Sequence, residues 1–248
     1  MCTVVLSIRP GHVWPLVLAA NRDELLARPW DPPAAYWPEQ PDVVAGRDRS
    51  AGGTWMGVNR RGVVATVLNR PGSLGSAAGK RSRGELPLLA LRSESAGAAG
   101  AAIAKLDAGQ YRTFNMVLAD RGGAVFVRGL GEGRPELWNL PPGIHMVTAH
   151  DPDDPASPRV ARHLPRFRAA SLPDPAEWEA WRGILADRSG PTASQINVAP
   201  VGGFGTVCSS LVFLPASGEP VWLFAAGPPH GARFELVRVA GSHPLEGA

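Results

Sequence analysis

Two short segments of the chain carry residues whose types could support catalysis. Met1-Cys2-Thr3 opens the sequence, and Asn21-Arg22-Asp23-Glu24 follows further along. If Met1 is removed, Cys2 carries a thiol and a free α-amine on one residue, and the amine can take the thiol proton because both groups titrate near neutral pH. The first segment therefore predicts a nucleophile that supplies its own base. The alternative is a cysteine that serves only as a small buried hydrophobe.

The composition limits the class of protein. With 248 residues and no evident linker, we expect a single domain over residues 1–248. The net charge is only +3, and basic residues are not interleaved with aromatic ones, which argues against a nucleic-acid partner. The only cysteines, Cys2 and Cys208, exclude a disulfide framework and favour a cytoplasmic location. No signal peptide and no apolar run of the ~20 residues needed to span a bilayer is recognisable.

The elements that must position the two segments form a predicted β-hairpin. Residues 2–8 and 14–20 have the apolar, β-branched character of strands, and Arg9-Pro10-Gly11 between them is typical of a turn. Such a hairpin places Asn21-Arg22-Asp23-Glu24, at the end of the second strand, beside Cys2. The same residues are also compatible with a helix start, in which Asn21 or Asp23 is the N-cap.

The remaining pattern predicts strands, two helices, strands, two helices and strands. Residues 28–41 are proline-rich, and we expect no regular element there. Helices are expected to open at residues 82–85 and to cover 95–106, 159–168 and 178–186. Strands are expected at 56–58, 63–68, 114–119, 124–128, 136–140, 144–148, 206–214, 221–224 and 234–239. This order predicts an α+β fold of two antiparallel sheets flanked by helices.

Several separated motifs resemble, in the same order, those of the NRDE family, which includes the transport and Golgi organisation 2 proteins. The resemblance covers residues 1 to about 128 and extends more loosely to about 225. That family is similar to the cysteine branch of the N-terminal nucleophile (Ntn) hydrolases, which contains bile salt hydrolases, penicillin V acylases and acid ceramidase. The resemblance implies a four-layer αββα sandwich. The motifs are Met1-Cys2 and residues 19–24, 27–29, 45–48, 52–58, 82–86 and 114–115.

The resemblance also implies a catalytic set. Cys2 attacks an amide carbonyl, and Asp23 positions the α-amine. Asn69 is the candidate oxyanion donor, with a plain turn asparagine before Arg70-Pro71 as the alternative. Asn21 and Arg22 complete the set, although the arginine of the related enzymes precedes their asparagine, at a place that Ala20 occupies here.

Trp55, His150 and Cys208 are the candidates for substrate binding. Two departures from the related sequences concern this group: Ala149 stands where relatives have a second asparagine, and Val207-Cys208 stands where they tend to have an arginine. One oxyanion donor and one cationic partner are therefore either absent or supplied by other side chains, with His150 a candidate. Cys208 is interpreted either as a redox partner of Cys2 or as a buried structural cysteine.

The resemblance thus implies a hydrolase that cleaves a non-peptide C–N bond of a small acylated molecule without a cofactor or a metal. The alternative is a non-catalytic haem or small-ligand binding and trafficking protein on the same fold. No haem-attachment motif occurs, and the six histidines are scattered. The sequence leaves the oligomeric state open. The histidines are His12, His145, His150, His163, His230 and His243.

Overall fold

A computed structural model describes residues 2–239, which form two antiparallel sheets between two layers of helices. Met1 and residues 240–248 lie outside the described residues, and so do the predicted removal of Met1 and the position of His243. The six-stranded sheet has the order β10-β1-β2-β11-β12-β13. Its strands are β1 (Thr3–Ile8), β2 (Leu16–Leu25), β10 (Gly143–Val147), β11 (Phe204–Leu214), β12 (Val221–Ala225) and β13 (Phe234–Val237).

The seven-stranded sheet follows the chain from β3 to β9 in sequence order. Each strand pairs with its neighbour in the sequence, so the sheet is a meander built from local hairpins. Its strands are β3 (Trp30–Ala34), β4 (Val43–Asp48), β5 (Met56–Asn59), β6 (Val64–Asn69), β7 (Phe114–Asp120), β8 (Gly123–Gly129) and β9 (Glu136–Leu140).

Within residues 2–239, four α-helices cover the outer faces of the sheets. The helices α1 (Glu85–Ala90) and α2 (Ala96–Ile103) pack on the seven-stranded sheet. The helices α3 (Pro158–Ala169) and α4 (Glu179–Leu185) pack on the six-stranded sheet. The start of α3 is fixed by Ser157, whose hydroxyl accepts a hydrogen bond from the backbone of Val160. The layer order is helix, sheet, sheet, helix, so the predicted αββα architecture is confirmed.

Strand alternation decides which side chains enter the space between the sheets. In β1, Val4 and Leu6 face the opposite sheet while Val5 faces the helices. In β2, Leu18 and Ala20 face the opposite sheet while Ala19 faces the helices. Extending this alternation by one step puts Cys2 and Arg22 between the sheets, and Asn21 and Asp23 on the helix side.

Two predictions about local structure are wrong. The helix start at Asn21 or Asp23 does not form, because β2 continues to Leu25 and pairs with β11 over that length. The proline-rich stretch 28–41 contains a regular element, β3. Prolines can be accommodated there because β3 is an edge strand, and its register with β4 shifts between Asp31 and Ala34. The strand β4 itself was not predicted.

Candidate active site

A pocket of about 230 Å³ opens beside the start of β1 and the end of β2. Five of the predicted site residues contribute to its lining: Cys2, Arg22, Asp23, Trp55 and Asn69. A larger cavity of about 820 Å³ lies along β3 and β13, and its lining contains neither cysteine. Of these two cavities, the smaller one combines a cysteine with polar and charged side chains.

Cys2 is half-buried and lines this pocket. Its side chain packs against the apolar residues between the sheets, and its Sγ lies 3.8 Å from the backbone oxygen of Asp23. Burial raises the pKa of the Cys2 thiol. The sulfur is therefore a thiol near neutral pH and needs a nearby base to become nucleophilic.

Asp23 is buried on the helix side of β2, and two side chains within residues 2–239 donate hydrogen bonds to its carboxylate. The Thr206 hydroxyl donates to one carboxylate oxygen at 2.7 Å, and Arg159 Nη1 donates to the other at 2.8 Å. Arg159 Nη1 also donates to the Thr3 hydroxyl at 2.8 Å. Because Thr3 follows Cys2 directly, one guanidinium from α3 fixes both the Asp23 carboxylate and the start of β1.

A β-bulge at Val207 directs the side chains of β11 toward this arrangement. Thr206 pairs with Asp23 and Cys208 pairs with Arg22, so Val207 is the extra residue in the ladder. Without the bulge, Thr206 and Cys208 would point to the same face of the sheet. With it, Thr206 faces the Asp23 carboxylate, while Val207 and Cys208 both pack between the sheets.

Asn21 lies beneath the helix layer and does not line the pocket. Its amide nitrogen donates to the carbonyls of Leu185 and Ile196, each at 2.9 Å. Its amide oxygen accepts from the Ser209 hydroxyl at 2.7 Å. The side chain is only 1% exposed, so it holds the end of α4 and the following loop against β2.

Arg22 occupies the opposite face of β2 and lines the pocket. Its guanidinium lies 4.0 Å above the Trp55 ring and forms longer ion pairs with Glu24 (3.6 Å) and Asp48 (3.9 Å). Arg22 Nη1 is buried and has no hydrogen-bond partner among residues 2–239. A buried N–H group without an acceptor indicates a position for water or a ligand oxygen.

Trp55 and Asn69 are contributed by the seven-stranded sheet. The Trp55 ring covers Gly46, where an added Cβ would come within 2.3 Å of the ring, so the close approach requires a glycine at this position. The Trp55 carbonyl accepts from the backbone of Val67 at 3.0 Å, which ties the tryptophan to β6. Asn69 ends β6, is half-buried, and its side chain makes no hydrogen bond within the described part of the chain.

His150 and Cys208 do not line this pocket. The backbone oxygen of His150 accepts from Asn115 at 2.7 Å, and its ring lies 3.4 Å from Asp154. Cys208 is 1% exposed and borders, with Cys2, a void of only about 10 Å³. Burial raises the pKa of Cys208 to about 12, which favours the inert thiol.

The sequence did not identify Arg159 and Thr206 as site residues. Arg159 follows Ser157-Pro158, a recognisable helix start, but nothing in this spacing indicates that its side chain reaches β2. Thr206 lies in a motif noted for its missing arginine, and the bulge that turns it toward Asp23 is a property of the strand pairing. The packing of α3 against β2 was needed to find Arg159, and the pairing of β2 with β11 was needed to find Thr206.

Residues 2–239 contain neither a cluster of metal-ligating side chains nor a membrane-spanning helix. No three His, Cys, Asp or Glu side chains in this range are arranged to hold a metal ion. None of the helices described is both long enough and apolar enough to cross a membrane.

Comparison of the sequence with known proteins identifies relatives. The profile of the family described as Transport and Golgi organisation 2 matches residues 1–222. The mouse Transport and Golgi organization 2 homolog is 32% identical over 161 residues, and the human homolog is 30% identical over 161 residues. Each match covers 60% of this chain and 56% of the relative. The chain thus matches little more than half the length of these relatives.

Comparison with solved structures identifies the fold. An N-acylethanolamine-hydrolyzing acid amidase ortholog from Caenorhabditis elegans has a TM-score of 0.60 at 11% identity, covering 85% of this chain and 92% of its own. Penicillin V acylase from Agrobacterium tumefaciens gives 0.55 at 15%, covering 91% and 83%. A variant of the conjugated bile acid hydrolase from Clostridium perfringens gives 0.57 at 11%, covering 96% and 97%. The predicted fold of the Ntn hydrolases is confirmed.

Proposed function

Because the chain belongs to the Transport and Golgi organisation 2 family and has an Ntn-hydrolase fold, we propose that it is a cysteine hydrolase cleaving an amide bond of a small acylated molecule. The observation that supports this proposal is the position of Cys2, whose sulfur lies at a pocket that Arg22, Asp23 and Asn69 also line. The reaction type matches the amidase and acylase activities named for the structurally similar proteins.

In the proposed reaction, removal of Met1 leaves Cys2 with its own α-amine as the base. The amine takes the thiol proton, and the sulfur attacks the amide carbonyl carbon. The amine then returns the proton to the leaving nitrogen, so an acyl thioester and a free amine form. Water attacks the thioester and releases the carboxylic acid and the thiol. The Asp23 carboxylate, held by Thr206 and Arg159, orients the α-amine.

When the sulfur attacks, the carbonyl oxygen of the amide becomes an oxyanion, and two hydrogen-bond donors from opposite sheets are assigned to stabilise it. Asn69 offers an amide N–H that is not engaged by the described residues, and Arg22 offers the buried Nη1. Donors aimed at a developing oxyanion in a water-excluded site each contribute roughly 3 to 4 kcal/mol to lowering the barrier. In this assignment Trp55 supports the Arg22 guanidinium, Asn21 holds β2 in place, and His150 and Cys208 make no contact with substrate.

The test compares the two cysteines of the chain. We expect the purified protein to lack Met1 by intact mass and to hydrolyse at least one of penicillin V, an N-acylethanolamine and a conjugated bile acid. Cys2→Ala should lower turnover at least about a thousandfold, because the nucleophile is removed. Cys208→Ala, the matched control, should keep turnover within about threefold at a small cost in stability. Retention of Met1 in an active protein, or activity of the Cys2→Ala variant, would overturn the proposal.

A further inference from the structure

The charges that line the pocket are not balanced. Six cationic and three anionic side chains contribute to it. The carboxylates are already engaged with neighbouring arginines: Asp48 accepts from Arg28 at 2.8 Å, Glu24 lies 3.7 Å from Arg28, and Asp23 is held by Arg159. The part of the lining that contains the three carboxylates is therefore close to neutral.

The excess positive charge comes from Lys80, Arg83 and Arg112. Within residues 2–239 none of these three side chains takes part in an ion pair, and each donates only to uncharged acceptors. Lys80 donates to the Gly109 carbonyl. Arg83 donates to the Ser73 hydroxyl and to the carbonyls of Thr113 and Gly75. Arg112 donates to the carbonyls of Leu74, Ser76 and Gly72.

The backbone near the pocket holds these cations in place. Gly72 and Gly75 have φ angles of +72° and +80°, which residues with a Cβ rarely adopt, and their carbonyls accept from Arg112 and Arg83. The backbones of Gly53 and Gly84 touch, since a Cβ on Gly53 would lie 2.4 Å from the Gly84 carbonyl carbon. This contact joins the segment that bears Arg83 to the segment that bears Trp55.

Both guanidiniums keep donors for another molecule. Each arginine has five N–H groups, and the three hydrogen bonds of Arg83 and the three of Arg112 leave two N–H groups on each without an acceptor in the described residues. Burial lowers the pKa of Arg83 to about 10, and the charge of Arg112 acts in the same direction. Two neighbouring cations without a carboxylate would be stabilised by an anion between them.

We propose that Lys80, Arg83 and Arg112 bind an anionic group of the ligand, so that the substrate is an acylated molecule bearing a carboxylate or a phosphate. The substrate part of this inference rests on the proposed hydrolase function, whereas anion binding does not depend on turnover. The planar forks of Arg83 and Arg112 suit the paired oxygens of either group.

The experiment measures binding by calorimetry to the full-length Cys2→Ala protein, which cannot turn the ligands over. The probes are N-octanoylglycine, octyl phosphate and N-octanoylethanolamine, which is a neutral match for the first. We expect both anionic probes to bind at least about tenfold more tightly than the neutral one. The ratio of the affinities for N-octanoylglycine and octyl phosphate shows whether the site prefers a carboxylate or a phosphate.

Variants at the two lysines of the chain form the matched pair. Lys80→Gln should lower the affinity for the anionic probes at least about fivefold and leave the affinity for the neutral probe unchanged. Lys105→Gln, at an exposed position outside the pocket, should leave the affinities for the anionic and the neutral probes unchanged. Arg112→Gln should act in the same direction as Lys80→Gln, with a thermal melt to verify folding, because Arg112 also holds the loop.

Equal affinity for anionic and neutral probes, or equal effects of the two lysine variants, would overturn the anion site. The wild-type protein could instead hydrolyse none of the amides (penicillin V, an N-acylethanolamine and a conjugated bile acid), while the anionic probes still bind more tightly than the neutral one. That result would support the anion site and overturn the proposed hydrolase function.

Discussion

The two faces of β2 at Asn21-Arg22-Asp23 differ in how completely their polar groups are used. On the helix side, Asn21 makes three buried side-chain hydrogen bonds, and the Asp23 carboxylate is held by Thr206 and Arg159. On the pocket side, Arg22 has a buried N–H group without an acceptor in the described residues. The polar groups of the helix face are thus fully engaged, whereas the pocket face keeps a donor that is free within residues 2–239, although the residues are adjacent in sequence.

This difference shows how a short motif can serve two purposes. Successive side chains of a strand point to opposite faces, so a run of polar residues cannot lie on one side of a sheet. Here the alternation fastens the strand to α3 and α4 through Asn21 and Asp23 and leaves Arg22 for the pocket. The helix face therefore fixes the position of β2 beside Cys2, and the pocket face contributes Arg22 to the lining of the pocket.

The largest expected effect comes from breaking the helix face at its ion pair. Asp23→Asn should lower the free energy of unfolding by about 3 kcal/mol, because it leaves the buried Arg159 guanidinium without its carboxylate. Denaturant unfolding measures this loss. In a double-mutant cycle, adding Arg159→Gln to Asp23→Asn should cost much less than Arg159→Gln alone. Additive losses from the two substitutions would show that the pair does not stabilise this face.

A smaller effect should follow from acid in α3, one of the helices that pack on the six-stranded sheet. Burial lowers the pKa of His163, in α3, to about 4, and its ring accepts from Arg166 at Nδ1 while Nε2 faces the Ser194 carbonyl at 2.8 Å. In the unfolded chain His163 is protonated below about pH 6.5, whereas in the folded protein it is protonated only below about pH 4. The free energy of unfolding therefore decreases as the pH falls from about 6.5 to about 4. Between pH 7 and pH 5 the loss is about 2 kcal/mol.

Comparison of unfolding midpoints at these two pH values in wild type and His163→Gln measures that contribution. The variant should show a shallower dependence on pH, whereas His12→Gln, at an exposed histidine, should behave like wild type. Identical pH dependence in all three proteins would remove His163 as the cause.

The smallest effect on stability, and a clear effect on activity, is expected on the pocket face. Arg22→Gln should lower kcat/KM by about a hundredfold to a thousandfold, because an oxyanion donor is lost. The free energy of unfolding should fall by only about 1 kcal/mol, mainly through the lost stacking on Trp55. Steady-state kinetics measures the change in kcat/KM, and denaturant unfolding measures the change in the free energy of unfolding. Arg60→Gln, which changes an exposed arginine paired with Asp42, is the charge control. A large loss of stability with unchanged kcat/KM would reverse the comparison between the two faces.

Local pattern and chain order were sufficient to predict much of the fold. The apolar runs of β1 and β2, the turn at Arg9-Pro10-Gly11 and the alanine-rich α2 are signals carried by neighbouring residues. The strand β3 was missed because its prolines argue against a strand, and only its position at the edge of the sheet makes them acceptable. The pairing of β2 with β11 joins residues far apart in the chain, so no local pattern could predict its register or its bulge.

For the site, the sequence by itself determined which residue types were available and that Cys2 and Asp23 would be close, because a hairpin brings the end of its second strand beside the start of its first. Only the tertiary structure decided which way each side chain points. It assigned Asn21 to the helix layer, supplied Arg159 from α3 as the partner of Asp23, and left His150 away from the pocket. Side-chain direction depends on register and on packing between distant elements, and neither is written in the spacing of adjacent residues.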